Sequence, residues 1–239
     1  MTPTAARPPD VGSPRAATVW AALEPILGDG PLRVLDVGGG TGGFAVPLAR
    51  RGHTVTVVDP SPDALALLDR RAQAAGVAGA ITGVQGDGDR LAEVVAADSA
   101  DLVLCHHVLE FVDEPVAAAA ALAACVRTGG WVSLLVANQA AAVLARAVGG
   151  RPEEALALLH GQPDGTRHRR FDIDELHHLV VHAGLSVELW HGVRVVDDLL
   201  PAAELAAEQS AAVRQLEAVL AQRSPYRDLA SDVHLLCRR

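Results

Sequence analysis

The chain has 239 residues, half of them hydrophobic and 21% charged, which allows a sizeable core and excludes a compositionally disordered chain. Its 29 acidic residues outnumber 20 basic ones, all arginine, for a net charge of −9. A chain this acidic has no global attraction for phosphate backbones, so any nucleic-acid binding would need a local basic patch. Cys105, Cys125 and Cys237 form no CxxC pair, which suits a reducing cytoplasm better than a disulfide framework. No run reaches the roughly 18 apolar residues of a membrane span. The first twenty residues lack the apolar stretch of a signal peptide, so a cytoplasmic protein that avoids membranes is expected.

Residues 1–14, rich in Pro, Thr and Gly, read as a mobile tail. Arg15 to Leu27 carries apolar residues at helical spacing. "LRVLDV" reads as a strand, "GFAVPLARRG" as a helix closed by Gly52, and "TVTVVD" as a second strand. "SPDALALLDRRAQAAG" reads as a helix with Ser61 at its N-cap, Pro62 in the first turn and Gly76 at its end. "AITGVQ" is a weaker strand, "DRLAEVVAA" a short helix, and "ADLVLCHH" a strong strand. "EPVAAAAALAACVRTGG" reads as a helix ending in glycines, and "WVSLLVAN" as a fifth strand. Such alternation predicts right-handed βαβ crossovers and a largely parallel sheet.

Between Gln139 and Arg170 the alternation breaks into a helical, loop-like insertion, of the kind that caps a ligand site in such sheets. "DIDELHHLVVHAG" then reads as a helix capped by Asp172, and "LSVELWHGVRVV" as a strand. "PAAELAAEQSAAVRQLEAVLAQ" reads as a long helix with Leu205, Val213, Leu216 and Leu220 on one face, and "SDVHLLCRR" as a last strand. Residues 15–239 are expected to form a single domain.

The chemistry starts at "LDVGGGTGG", where five glycines occupy Gly38 to Gly43 directly after a strand. Gly38, Gly40 and Gly43 match G-x-G-x-x-G, the dinucleotide fingerprint. Gly38, Gly40 and Gly42, preceded by Asp36, match the D-x-G-x-G-x-G loop that binds S-adenosylmethionine. A carboxylate at Asp36 would repel a pyrophosphate and suits a cationic ligand. Asp59 ends the second strand, where an acid accepts ribose hydroxyls in either kind of site. Gly86 and Asp87 follow the third strand, where adenine contacts are expected, though Asp87 also reads as a solvated turn acid.

The order "VLDVGGGTGG", "VTVVDPS", "QGDGD", "DLVLCHHVLEFVDEP" and "RTGGWVSLLVAN" resembles the class I S-adenosylmethionine-dependent methyltransferases over nearly the whole chain. The resemblance implies an α/β, Rossmann-like fold with a seven-stranded, mostly parallel sheet, its last strand antiparallel and next to the fifth, and helices on both faces. More narrowly, "RAATVW", "RVLDVGGGTG", "CHHVLEFVDEP", "GVRVVDDLL" and "SPYRDLASDVHLLCRR" resemble the tRNA 5-carboxymethoxyuridine methyltransferase group. That resemblance implies cofactor contacts at Arg15, Gly38, Gly39, Asp59 and His106, and esterification of a carboxylate on a modified wobble uridine. Where that group tends to carry a lysine-rich stretch, this chain has only "RHRR", Arg167 to Arg170, and it has Ala137 in place of a frequent tyrosine.

Together the readings assign S-adenosyl-L-methionine, with S-adenosyl-L-homocysteine as product, to Arg15, Asp36, Gly38, Gly39, Gly40, Asp59, Gly86, Asp87 and His106, with no metal. A carboxylate acceptor needs orientation, not a base. Asn138, Arg194 and Tyr226 are the candidates; equally, Asn138 caps a helix, Arg194 pairs with Asp197, and Tyr226 packs. A hydroxyl or amine acceptor would call on a base at His106 or His107, which otherwise shape the pocket and meet solvent. His177, His178 and His182 read as a solvated helix face and the cysteines as core. The acceptor is tRNA or a small molecule, a silent cofactor-binding protein is the alternative class, and the assembly is a monomer or homodimer.

Overall fold

A computed structural model describes residues 14–28, 30–161, 169–200 and 207–239. The expected tail lies outside these residues except for Pro14, which opens the first helix; Leu205, Arg167 and the side chain of Arg15 also lie outside. In chain order the elements are α1 (Pro14–Leu27), β1 (Arg33–Val37), α2 (Ala45–Arg50), β2 (Thr54–Asp59), α3 (Pro62–Ala74), β3 (Ile81–Gln85), α4 (Leu91–Val94), β4 (Ala100–His106), α5 (Pro115–Cys125) and β5 (Val126–Ala137). They continue with α6 (Gln139–Val148), α7 (Pro152–Leu159), α8 (Ile173–His182), β6 (Ser186–Val193), α9 (Ala207–Leu220) and β7 (Asp232–Arg238).

The seven strands form one sheet in the order β3-β2-β1-β4-β5-β7-β6. β1 to β5 pair in parallel, and β7 runs antiparallel between β5 and β6. The local signals act as read: the Ser61 hydroxyl accepts the Ala64 amide at the start of α3, and Asp172 accepts the Asp174 amide ahead of α8. Each face of the sheet buries an apolar layer. One layer joins α1, α2 and α3 through Trp20, Leu23, Leu48 and Leu68. The other joins α5 and α8 through Leu122, Leu176 and Val180. Cys105, Cys125 and Cys237 are free and buried.

Two element boundaries differ from the expectation. α5 stops at Cys125, and β5 starts at Val126, so "VRTGG" is strand and not the end of a helix. The register against β4 jumps there, from Ala100–Val126 to Leu102–Trp131, and the glycines take up the irregularity. On α9, Leu216 is exposed and Glu217 turns inward, where its carboxylate accepts the amides of Val195, Val196 and Asp197 at 2.7–3.0 Å. A cluster of backbone donors outcompetes the apolar stripe because buried amides must be paired.

Parallel pairing puts the carboxyl ends of β1, β2, β3, β4 and β5 on one edge. Antiparallel pairing brings the start of β7 and the end of β6 to that same edge, through Ala137–Asp232 and Val193–Asp232. The insertion also leaves from here. α6 and α7 pack on each other, and the chain then returns to the sheet through an isolated bridge between Asn138 and Phe171.

Candidate active site

The strand order reverses beside β1, whose neighbours are β2 and β4. Open α/β sheets leave a crevice at such a switch point, and the glycine loop lies in it. Gly38, Gly40 and Gly42 have φ of +70°, +55° and +84°, a region that L side chains rarely adopt. A Cβ at Gly38 would sit 2.3 Å from Val108, one at Gly39 2.5 Å from the Asp36 carboxylate, and one at Gly42 2.4 Å from Leu68. Gly43 has neither a positive φ nor a neighbour within reach. The spacing that the backbone needs is therefore that of the D-x-G-x-G-x-G template.

Asp59, at the end of β2, accepts the Gly40 amide on Oδ2 and the Ser61 amide on Oδ1, each at 2.9 Å. Both carboxylate oxygens are thus fixed by backbone while keeping a lone pair each. Asp36 is only 3% exposed, and its Oδ2 has no partner. Burial, and then the neighbouring Asp59 charge, push Asp36 up to about 7. A buried carboxyl with an orphan oxygen beside a glycine cradle fits the cationic end of S-adenosylmethionine. Gly86 and Asp87 follow β3, on the same edge.

His106 ends β4 with its Nε2 2.9 Å from the Ser133 hydroxyl, which lies 2.8 Å from His234 Nε2. Phe44 meets the His106 ring edge-on at 4.7 Å and stacks on Trp20 at 4.9 Å. Burial, and then the neighbouring His107, lower His106 to about 3, so it is a neutral ring and a poor base.

The far half of the edge holds a polar network that spacing alone does not reveal. His107 has φ +56° and Arg194 has φ +60°, costly for side chains of this size. Nδ1 of His107 lies 2.9 Å from Glu110 Oε1, which also accepts the Ala137 amide at 2.8 Å. Nε2 of His107 points toward Asp232 Oδ2, 3.8 Å away and too far for a hydrogen bond. Arg194 donates to both oxygens of Asp232 at 2.9 Å and to Asp198 at 2.7 Å. Its partner is therefore not Asp197, as its position predicts, but the next residue and a cross-strand acid. Burial alone would lower the His107 pKa; its hydrogen bond to Glu110 and the charges of Asp232 and Glu110 outweigh that and the opposing Arg194, leaving it raised.

Asn138 caps α6 by accepting the Ala140 amide and donates to the carbonyls of Asp228 and Ala230 at 3.0 and 2.7 Å. Its side chain is spent on holding the turn that follows Tyr226, which itself is 51% exposed. Gly192 lets that turn cross β6, since a Cβ would lie 2.6 Å from the Arg227 carbonyl. The insertion returns beside the same network, where the Arg169 amide donates to the Glu110 carbonyl. Glu110 and Asp232 escaped the sequence reading, although Glu110 lies three residues after His107 in the quoted "CHHVLEFVDEP". His178 and His182 are exposed, and no group of metal-ligating side chains forms among the described residues. A cavity of about 510 Å³ between α1, β6 and α9 is lined by Ala21, His191, Val213 and Ala221 and includes no residue of the glycine loop.

Residues 14–189 match the family model described as a methyltransferase domain. The chain is 30% identical to the tRNA 5-carboxymethoxyuridine methyltransferase of Escherichia coli strain K12, over 95% of this chain and 89% of that protein. It is 35% identical to a ubiquinone biosynthesis O-methyltransferase of Xanthomonas axonopodis pv. citri, over 73% of this chain and 69% of that one. An S-adenosylmethionine-dependent methyltransferase structure from Mesorhizobium loti superposes with a TM-score of 0.64 at 20% identity, covering 95% of this chain and all of the other. The chain belongs to the S-adenosylmethionine-dependent methyltransferases.

Proposed function

We propose that this enzyme methylates the carboxylate of a 5-carboxymethoxyuridine in tRNA. One observation carries the reading: the match to the tRNA enzyme takes in 95% of the chain, and so necessarily Arg194 and Tyr226 at the far end of the edge. The match to the ubiquinone enzyme stops at 73%.

In this reading Asp59 holds the ribose, Gly86 and Asp87 face the adenine, and Asp36 with Gly38, Gly39 and Gly40 receives the methionine end, which His106 borders. The bound cofactor supplies a methyl group already activated by its sulfonium. The chain's own task is alignment of the attacking oxygen, a contribution worth roughly 7–11 kcal/mol in well-oriented reactions. A carboxylate oxygen forms the new O–C bond as the C–S electron pair returns to sulfur, so charges cancel and no proton is released. Tyr226 and the returning insertion, with Arg169 and Arg170, flank the acceptor's side of the site. In sequence, the run "RHRR", Arg167 to Arg170, is the candidate for the local basic patch that a −9 chain needs.

A second reading has its own observation. His107 on a buried glutamate resembles a general base, which suits a small-molecule hydroxyl. Incubation of enzyme and methyl-labelled cofactor with tRNA containing 5-carboxymethoxyuridine, with tRNA lacking it, or with a small-molecule extract separates the two. Label in the modified tRNA alone supports the proposal, and methyl transfer to an acceptor in the extract with none to either tRNA rejects it.

A further inference from the structure

We propose that His107, held by Glu110, is the residue that grips the acceptor carboxylate through Nε2–H, and that Arg194 is a strut beneath it. The proposal rests on the carboxylate reading above and assigns the anion receptor within it.

Four observations converge. Arg194, the obvious candidate, is occupied on both sides by Asp232 and Asp198, so its charge is neutralised within the protein. His107 keeps its Nε2 donor unspent, because Nδ1 is engaged by Glu110 while Nε2 stops 3.8 Å short of Asp232; Arg194 spends three of its five N–H groups on the two acids, and its side chain is only 15% exposed. Its side chain is 45% exposed, whereas those of Glu110 and Asp232 beneath it are 3% exposed. Two of the three non-glycine residues with positive φ among those described are His107 and Arg194. Strain of that kind persists where the surroundings over-determine it, and it clusters at ligand sites.

The physical logic is that of a positioned imidazolium. Glu110 is itself pinned by the Ala137 amide, fixes which nitrogen carries the inner proton, and aims the other outward. The groups facing His107 are Glu110 from its own loop, Asp232 from β7, Arg194 after β6 and the adjacent His106; Asp198 lies behind Arg194. The balance raises the His107 pKa and so favours its protonated form. An anionic oxygen that enters between Nε2 and the open edge gains a charge-assisted hydrogen bond.

The test is kcat/KM against pH for wild type, His107→Ala, His107→Gln and Glu110→Gln, on tRNA carrying 5-carboxymethoxyuridine. S-adenosylhomocysteine affinity in each variant shows that the fold survives. Wild-type kcat/KM should fall as pH rises through the His107 pKa. His107→Ala and His107→Gln should lose about tenfold or more with a flat profile there, and Glu110→Gln should move the falling limb to lower pH. Retention of wild-type kcat/KM and its falling limb in His107→Ala overturns the proposal, as does a wild-type rate that rises through this range, the mark of a base. Histidine nitrogen NMR with free 5-carboxymethoxyuridine nucleoside and uridine separates the two readings. If wild type fails on tRNA yet the carboxylated nucleoside alone raises the His107 pKa, the tRNA reading falls and His107 stands. If neither nucleoside moves it, the His107 proposal falls.

Discussion

Asp36 is the residue on which the cofactor half of the site turns. Its carboxyl is buried beside a second acid, with an orphan oxygen and a pKa near neutrality. A cationic ligand placed against it lowers that pKa, so binding should release a proton near pH 7 and tighten as pH rises through about 7. Calorimetry of S-adenosylmethionine in buffers of different ionisation enthalpy measures this directly. A heat independent of the buffer would show that Asp36 does not meet the cation. Gly38→Ala combines a left-handed backbone with a methyl 2.3 Å from Val108. We expect a loss of roughly 2 kcal/mol or more in stability, cofactor affinity or both, read by chemical denaturation and by calorimetry. The position of Asp36 was legible in the sequence, since it precedes the glycines by two residues. Its burial was not, because burial depends on how the loop folds back over β1. The Arg194 partner was misread for a similar reason: sequence neighbours suggest Asp197, while sheet pairing supplies Asp232.

At the scale of elements, Asn138 couples two of them. It caps α6 and holds the Asp228–Ala230 backbone at the mouth of the acceptor side. Asn138→Ala removes the cap and leaves the buried Ala230 carbonyl and the half-buried Asp228 carbonyl without that donor, a cost of about 2–4 kcal/mol. Calorimetric melting should show it, together with a raised KM for the acceptor and an S-adenosylhomocysteine affinity close to wild type. An unchanged melting temperature would contradict this role. A second element-level device is the row His106, His234 and His191 across β4, β7 and β6, where burial lowers each pKa. The unfolded chain protonates these rings first as pH falls, so stability is full above about 6.5 and drops below it. Down to pH 5 the loss is roughly 2 kcal/mol for His106, whose pKa falls to about 3, and at most about that for His234 and His191. Denaturation at pH 7.5 and 5 checks the sign, and His191→Leu should lessen the drop. Strands and caps were legible because short β-branched, apolar runs and Ser or Asp before helices are local signals. The end of α5 and the inward turn of Glu217 were not, since a strand pairing and a buried loop decide them.

Over the whole molecule, the parallel sheet followed from the alternation of elements and the antiparallel last strand beside the fifth from the family resemblance, so the glycine-loop end of the sheet was legible in the sequence. The polar network was not, because it is assembled from Glu110, Arg194 and Asp232, which are distant along the chain and meet only through the antiparallel insertion of β7. Charge sets the second whole-molecule expectation. With a net charge of −9, tRNA binding must depend on few phosphate contacts, and the triple variant of Arg167, Arg169 and Arg170 to alanine should lose most of it. Titration at rising salt should give a shallow slope of about three contacts in wild type, flattened in the variant. Equal slopes in the two would place the tRNA contact elsewhere. The central claim is that the methyl lands on a carboxylate oxygen. Its most direct measurement is the alkali stability of label transferred to tRNA. The account predicts release of the label as methanol on mild alkaline treatment, as for an ester. Label that stays on the nucleoside through the same treatment would show a methyl ether or amine and contradict it.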